Sequence, residues 1–196
     1  MANYITIDSG TTNTRVSLVI DGRIADTRKF NVGAKKGMEN GQLLQGALRD
    51  GIADILQANG MNEEQIECIL ASGMITSEFG LVNLPHIIAP AGAKELHESL
   101  YRCSLPEISR LPFVFVRGIK TGGDALENVD MMRGEETELL GSFEGAGTYI
   151  LPGSHSKIID VDEQGRVVRF KTMLTGEMIA ALSQNTILKD AVQLQD

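Results

Sequence analysis

A chain of 196 residues that is 42% hydrophobic and 22% charged has enough apolar material for a sizeable core, which excludes disordered and collagen-like structure. Its 26 acidic and 18 basic residues leave a net charge of −8 with no basic block, so general binding to a nucleic-acid backbone is excluded too. The N-terminus meets Asp8 and a turn too early for a signal peptide, and no apolar run approaches the roughly 18 residues of a transmembrane helix; a soluble cytoplasmic protein with no membrane partner is expected.

In chain order, Tyr4 to Ile7 alternates as a strand and stops at a cluster of turn formers, Asp8-Ser9-Gly10-Thr11-Thr12-Asn13. Arg15 to Ile20 is a second strand, and Asp21-Gly22 is a tight hairpin turn into a third, Arg23 to Phe30. Leu44, Leu48, Ile52, Ile55 and Leu56 recur at helical spacing, predicting a helix from about Gly41 to Asn59 that stops at Gly60. Ile66 to Ala71 is predicted as a mostly buried strand, Ala93 to Cys103 as a second helix, and Phe113 to Val116 as a core strand. Cys68 and Cys103, far apart in apolar segments, read as two thiols in a reduced compartment rather than a disulfide. A helix follows between Arg133 and Ser142. The opening pattern then returns: strand Gly147 to Leu151, polar turn Pro152-Gly153-Ser154-His155-Ser156, strand Lys157 to Val161, turn Glu163 to Gly165, and strand Val167 to Met173. Thr175 is placed to cap a helix through Met178, Ile179 and Leu182.

Two strand–turn–strand units therefore carry glycine with Ser and Thr at the turn, a composition that lets backbone amides and hydroxyls close around an anion. Plain hairpin turns use the same residues. Neither unit is a Walker loop or a dinucleotide fingerprint, because GxxxxGK[ST] and a helix-opening GxGxxG are both missing. Asp8, at the end of the first strand, is a carboxylate that suits magnesium held through its water shell.

The duplicated order, with a phosphate-type turn at the first hairpin of each half, resembles the sugar kinase/heat-shock 70/actin superfamily. Within it, Ile7 to Arg15, Ala71 to Ser77, Met132 to Gly141, Leu151 to Lys157 and Phe170 to Glu177 resemble the 2-dehydro-3-deoxygalactonokinases. Arg133-Gly134-Glu135-Glu136-Thr137-Glu138-Leu139-Leu140-Gly141 followed by Leu151-Pro152-Gly153-Ser154-His155-Ser156-Lys157 is the diagnostic pair. The chain departs from the family pattern at Ser9, where Trp is usual, at Ser154, where Thr is usual, and at Arg117-Gly118, where Pro-Gly is usual.

The resemblance implies an α/β fold: a ribonuclease H-like (actin-like ATPase) domain with a mixed five-stranded sheet over residues 1–142, then residues 143–196 as the first half of a second, ATP-binding domain. Family members are longer, and the later half of their second domain supplies the adenosine pocket, so this chain alone is expected to hold ATP weakly. It also implies ATP-dependent phosphorylation of 2-dehydro-3-deoxy-D-galactonate at its 6-hydroxyl, with ATP and Mg as cofactors and a small sugar acid as partner. A homodimer covering the exposed edge of the second sheet is expected.

For the proton of that hydroxyl the candidates are Asp124, Asp130, Glu135 and Glu136, with Glu135 preferred and Asp130 second. Gly134-Glu135-Glu136 is also similar to the GxEE stretch of exopolyphosphatases, while first-turn helix acids favoured by the dipole have the same composition. Gly10, Thr11, Thr12 and Asn13 on one side and Gly153, Ser154, His155 and Lys157 on the other are the expected phosphate contacts, with Asp8 for the metal. Met74, Thr76, Ser77 and Arg133 are the expected sugar-side residues. His86 and His97 lack partners at zinc-ligand spacing. The competing readings are a phosphohydrolase of the exopolyphosphatase type and an incomplete, non-catalytic kinase fragment.

Overall fold

The computed structural model describes residues 2–34, 36, 41–122 and 129–190. Strands β1 (Tyr4–Ser9), β2 (Thr14–Ile20) and β3 (Arg23–Phe30) form an antiparallel meander. Asp21 and Gly22 both take positive φ at the β2–β3 turn, as the Asp-Gly pair demands. Helix α1 (Gly41–Ala58) then crosses over so that β4 (Cys68–Gly73) lies parallel to β1, Tyr4 opposite Cys68 and Ser9 opposite Gly73.

The core follows from the two periodicities. Ile5 and Ile7 of β1, Val16 and Leu18 of β2 and Ile69 and Ala71 of β4 are fully buried on one face, against Leu44, Leu48, Ile52 and Ile55 of α1. Gly51 allows the helix to come this close: a Cβ there would stand 2.4 Å from the Phe30 ring.

Beyond β4 the chain forms β5 (Ile87–Ile88), α2 (Ala93–Glu98), β6 (Tyr101–Leu105), β7 (Ser109–Phe115), β8 (Ile119–Lys120) and β9 (Met131–Met132). β7 adds parallel to β4, and β6 adds antiparallel to β7, so the sheet runs β3-β2-β1-β4-β7-β6. The five expected strands are present in mixed order, with a sixth at the edge. That sixth strand replaces the last third of the predicted 93–103 helix. The helix ends where Ser99 N–H donates to Glu95 and Leu96 carbonyls, and Tyr101 to Leu105 pairs with the open edge of β7 instead. β4 also starts two residues later than expected, because Ile66 N–H closes a short 3-10 turn on Glu63.

Helix α3 (Glu135–Ser142) leads into a second antiparallel sheet, β10 (Gly147–Leu151), β11 (Ser156–Val161) and β12 (Val167–Met173), followed by α4 (Thr175–Asn185). Thr175 is the first helical residue rather than the cap, a place taken by Leu174; its hydroxyl hydrogen-bonds that of Ser156. The strands β5, β8 and β9 form a small sheet, and its Ile119 and Met132 share one apolar cluster with Leu139 of α3 and Ile159, Val161 and Phe170 of the second sheet. This core draws on both sides of position 142. Cys68 and Cys103 are free thiols, half-buried. No described helix is long and apolar enough to cross a membrane.

Candidate active site

The first turn hangs from β1 and β2. The buried Ser9 hydroxyl pairs with that of Thr14 at 2.9 Å, closing the base of the turn, and Gly10 N–H donates to the Asn13 carbonyl at 2.9 Å. The chain after β3 braces it: Ala34 N–H donates to Gly10 O at 3.1 Å, and a Cβ on Gly33 would stand 2.6 Å from that same oxygen. Gly10, Thr11, Thr12 and Asn13 stay exposed. Asp8 faces its cross-strand neighbour Arg15 in an exposed pair at 3.1 Å, a contact of modest energy.

The second turn, between β10 and β11, is held by the start of α4. Glu177 N–H donates to Ser154 O at 3.1 Å, the Glu177 carboxylate lies 2.6 Å from His155 Nε2, and Gly176 packs where a Cβ would meet Gly153 O at 2.6 Å.

Both turns open on one cavity of about 380 Å3, lined by Gly10 and Thr11 from the first and His155 and Lys157 from the second, together with Met74, His86, Met131, Met132, Arg133 and Glu135. An adjoining cavity of about 580 Å3 is lined by Asp8, Arg15, Gly134, Thr137 and Glu138, again with Arg133 and Glu135. Arg133 and Glu135 thus form the wall between the two. A further cavity of about 620 Å3, beside β11 and β12, holds none of the expected site residues.

Two glycines set that wall. Gly73, at φ +87°, leaves β4 where any Cβ would stand 2.5 Å from Ser9 O, and Gly134, at φ +106°, opens α3 with its Cβ position 3.4 Å from Gly73 Cα. The N-terminus of α3 therefore abuts the carboxyl ends of β1 and β4, where open α/β sheets bind ligands. Glu135 turns to the cavities: Oε2 accepts Arg133 N–H at 2.9 Å and Oε1 stands 3.7 Å from Lys157 Nζ. Glu136 turns inward, buried, with both carboxylate oxygens on Gly134 N–H at 2.8 and 3.0 Å. Burial pushes its pKa up to about 8 against the opposing pull of that hydrogen bond. It lines neither cavity.

Arg133 is held on three sides. Nη1 donates to Thr76 Oγ1 at 2.8 Å, Nη2 donates to Leu84 O at 2.7 Å, and Nη2 lies 3.5 Å from His86 Nδ1. Burial lowers its pKa from the ordinary value. Thr76 and Ser77, expected to face the sugar, instead stand behind the wall: the Thr76 hydroxyl donates to Gly73 O at 3.0 Å and the Ser77 hydroxyl to Met74 O at 2.7 Å. Both hydroxyls are engaged by their own short 3-10 turn (Met74–Thr76), which faces them inward. Met74 does line the cavity.

Asp130 lines neither cavity. Its carboxylate accepts Thr172 N–H at 2.6 Å, Thr172 Oγ1 at 2.7 Å and Met131 N–H at 2.7 Å, tying β9 to β12. Lys157, read from sequence as either a phosphate contact or a solvated strand residue, is buried at the cavity wall, donating to Met131 O at 2.9 Å and Thr172 Oγ1 at 2.6 Å. Thr12, Asn13, Gly153 and Ser154 belong to the turns without lining the cavities, and Asp124 lies outside the described residues.

Sequence reasoning missed His86, Met131, Met132 and Arg15 as cavity residues. His86 carried no motif, and only the packing of β5 beside β8 brings it in. Burial, with Arg133 and Lys120 nearby, depresses its pKa to about 4, so the imidazole is uncharged at neutral pH. For a metal, the exposed Asp8 carboxylate shares its cavity with Glu135 and Glu138. No group of three or more His, Cys, Asp or Glu side chains able to hold a metal is assembled among the described residues.

A family model described as 2-keto-3-deoxy-galactonokinase matches residues 8–196. A protein of Escherichia coli K12 named 2-dehydro-3-deoxygalactonokinase is 29% identical over 189 residues, covering 95% of this chain and 59% of that protein. The crystal structure of a Sinorhizobium meliloti protein carrying the same name superposes with a TM-score of 0.78 at 24% identity, over 98% of this chain and 60% of that one. A reductive activator for a corrinoid, iron-sulfur protein superposes at 0.52 and 13% identity, over 83% of this chain and 30% of that one. At these identities the two superpositions speak for the fold alone. The chain spans about three fifths of the length of the kinase relatives it matches.

Proposed function

This chain belongs to the 2-keto-3-deoxy-galactonokinase family, and from that premise we propose that it takes part in moving the γ-phosphoryl group of ATP to the 6-hydroxyl of 2-dehydro-3-deoxy-D-galactonate. The observation that carries the reading is the single cavity onto which both glycine-bearing turns and Glu135 open. Phosphoryl transfer asks mainly for positioning and neutralised charge. In this reading the Gly10–Thr11 segment and His155 bracket the polyphosphate, and Lys157 and Arg133 supply positive charge beside it. Glu135 stands on the same wall, oriented by the Arg133 amide and by Lys157. The sugar hydroxyl oxygen bonds to the γ-phosphorus, the bond from that phosphorus to the bridging oxygen breaks, its electron pair leaves with ADP, and the hydroxyl proton passes to the Glu135 carboxylate. Magnesium, when bound, would neutralise phosphate charge; Asp8 is the residue to hold it, through its water shell.

Among the carboxylates weighed from sequence, Glu135 is preferred because Glu136 is buried against Gly134 and Asp130 is engaged by Thr172. The same reading places the reaction in galactonate catabolism in the cytoplasm and allows for a homodimer. A coupled assay of ATP consumption by the purified chain, with and without the sugar acid, tests it. ADP release that depends on the sugar acid supports the kinase; ADP release indifferent to it would turn the reading to a phosphohydrolase.

A further inference from the structure

Resting on the kinase reading of the cavity, we infer that His86 is a substrate-specificity residue: its Nε2–H donates to an uncharged oxygen, hydroxyl or keto, of a sugar acid seated at the methionine-lined end. His86 stands immediately before β5 and lines the cavity with Met74, Met131 and Met132. The Arg133 guanidinium has donors only, so its contact with His86 Nδ1 at 3.5 Å makes Nδ1 the acceptor and leaves the ring proton on Nε2. Every buried side-chain nitrogen and oxygen among the described residues has a hydrogen-bond partner. Arg133 bonds His86 on Nδ1, so the unpaired Nε2 is not sealed in the core, and the residue that carries it lines the cavity.

The ring is also fixed from below. Gly118 lies against it, and a Cβ at that position would stand 2.8 Å from His86 Cδ2. Burial first, and then the neighbouring charges of Arg133 and Lys120, disfavour a protonated ring, so it offers a directional neutral donor. Such a donor suits a hydroxyl or a ketone, while carboxylate and phosphate are better matched by Lys157 and Arg133. The methionines beside it give apolar contact for a deoxygenated carbon. A buried donor that needs an oxygen partner rejects an analogue lacking it far more strongly than an apolar wall rejects an extra methylene.

Two measurements on the whole chain test this. In long-range 1H–15N spectra of the histidine rings, assigned with His86→Leu, the His86 ring shows the Nε2–H tautomer at neutral pH, and 2-dehydro-3-deoxygalactonate moves its Nε2 signal. In calorimetric titration, His86→Leu weakens the sugar acid by about tenfold, the value of one hydrogen bond, while His86→Gln, which keeps a terminal N–H donor, stays within about threefold and ATP affinity is unchanged in both. An Nδ1–H tautomer, unmoved ring signals with bound sugar acid, or equal weakening by Leu and Gln overturns the inference and leaves the kinase reading standing. A wild-type chain that takes up no sugar acid overturns the kinase reading, and the inference with it.

Discussion

Replacing Glu136 by Gln removes an ionisable group from the one buried position where α3 begins, and the consequence is a change in how stability depends on pH. The carboxyl is 1% exposed, and burial raises its pKa from 4.5 to about 8. Between those values the folded chain binds a proton that the unfolded chain has released, so stability is fully present below the lower value and declines as pH rises toward the upper. From pH 5 to pH 7.5 the slope is close to one proton, about 1.4 kcal/mol per pH unit, which amounts to about 3 kcal/mol. The side-chain amide introduced by Glu136→Gln keeps an oxygen for Gly134 N–H and has no charge to desolvate, so the stability of the variant lacks this slope. His86 acts oppositely, since a pKa lowered to about 4 makes stability rise with pH up to its ordinary 6.5. That contribution cancels when wild type and variant are compared at each pH. Urea denaturation followed by far-ultraviolet circular dichroism, in buffers from pH 5 to 7.5, reads the difference directly. The expected result is a gap that widens by about 3 kcal/mol in favour of Glu136→Gln. Two parallel curves would refute the reasoning, because they would mean that the buried carboxyl ionises at its ordinary pH.

Other substitutions separate the roles assigned to neighbouring groups. Glu135→Gln is expected to lower turnover by ~10²-fold or more with sugar-acid and ATP affinity retained, the range of a lost general base; a loss below threefold in steady-state assays would remove Glu135 from proton transfer. Asp130→Asn loosens the tie to Thr172 and costs about 1–3 kcal/mol of stability, as expected for a disrupted hydrogen-bonded brace, read by denaturant titration; undiminished stability with abolished turnover would restore it as the base. Gly33→Ala forces a Cβ within 2.6 Å of Gly10 O and displaces the first turn, so binding of magnesium-ATP weakens while sugar-acid binding is kept. Equal weakening of both ligands in calorimetry would place that turn on the sugar instead.

The elements that depend on local pattern were legible in the sequence alone. Alternating Ile5 and Ile7, the helical spacing of Leu44, Leu48, Ile52 and Ile55, and the Asp21-Gly22 turn each specify their conformation through neighbours a few residues away. The repeated strand–turn–strand unit, and with it the kinship to sugar kinases, was legible for the same reason. Tertiary structure decided what local pattern does not encode. Tyr101 to Leu105 became a strand because the edge of β7 was open to it, and the two-residue strands β5, β8 and β9 exist only through one another, Ile87 opposite Ile119 and Ile119 opposite Met132. Glu135 and Glu136 are adjacent and chemically alike, yet about 100° of helical rotation, set by the contact of Gly134 with Gly73, sends one to the cavities and seals the other in the core. Asp130, Thr76 and Ser77 were drawn away from the cavity by hydrogen-bond partners, Thr172 and Gly73 among them, whose positions the long-range packing of the two sheets and the turn after β4 determines. His86 entered the cavity by the same route, because a side chain's neighbours across a cleft are chosen by the packing of elements far apart in the chain, which no window of sequence contains.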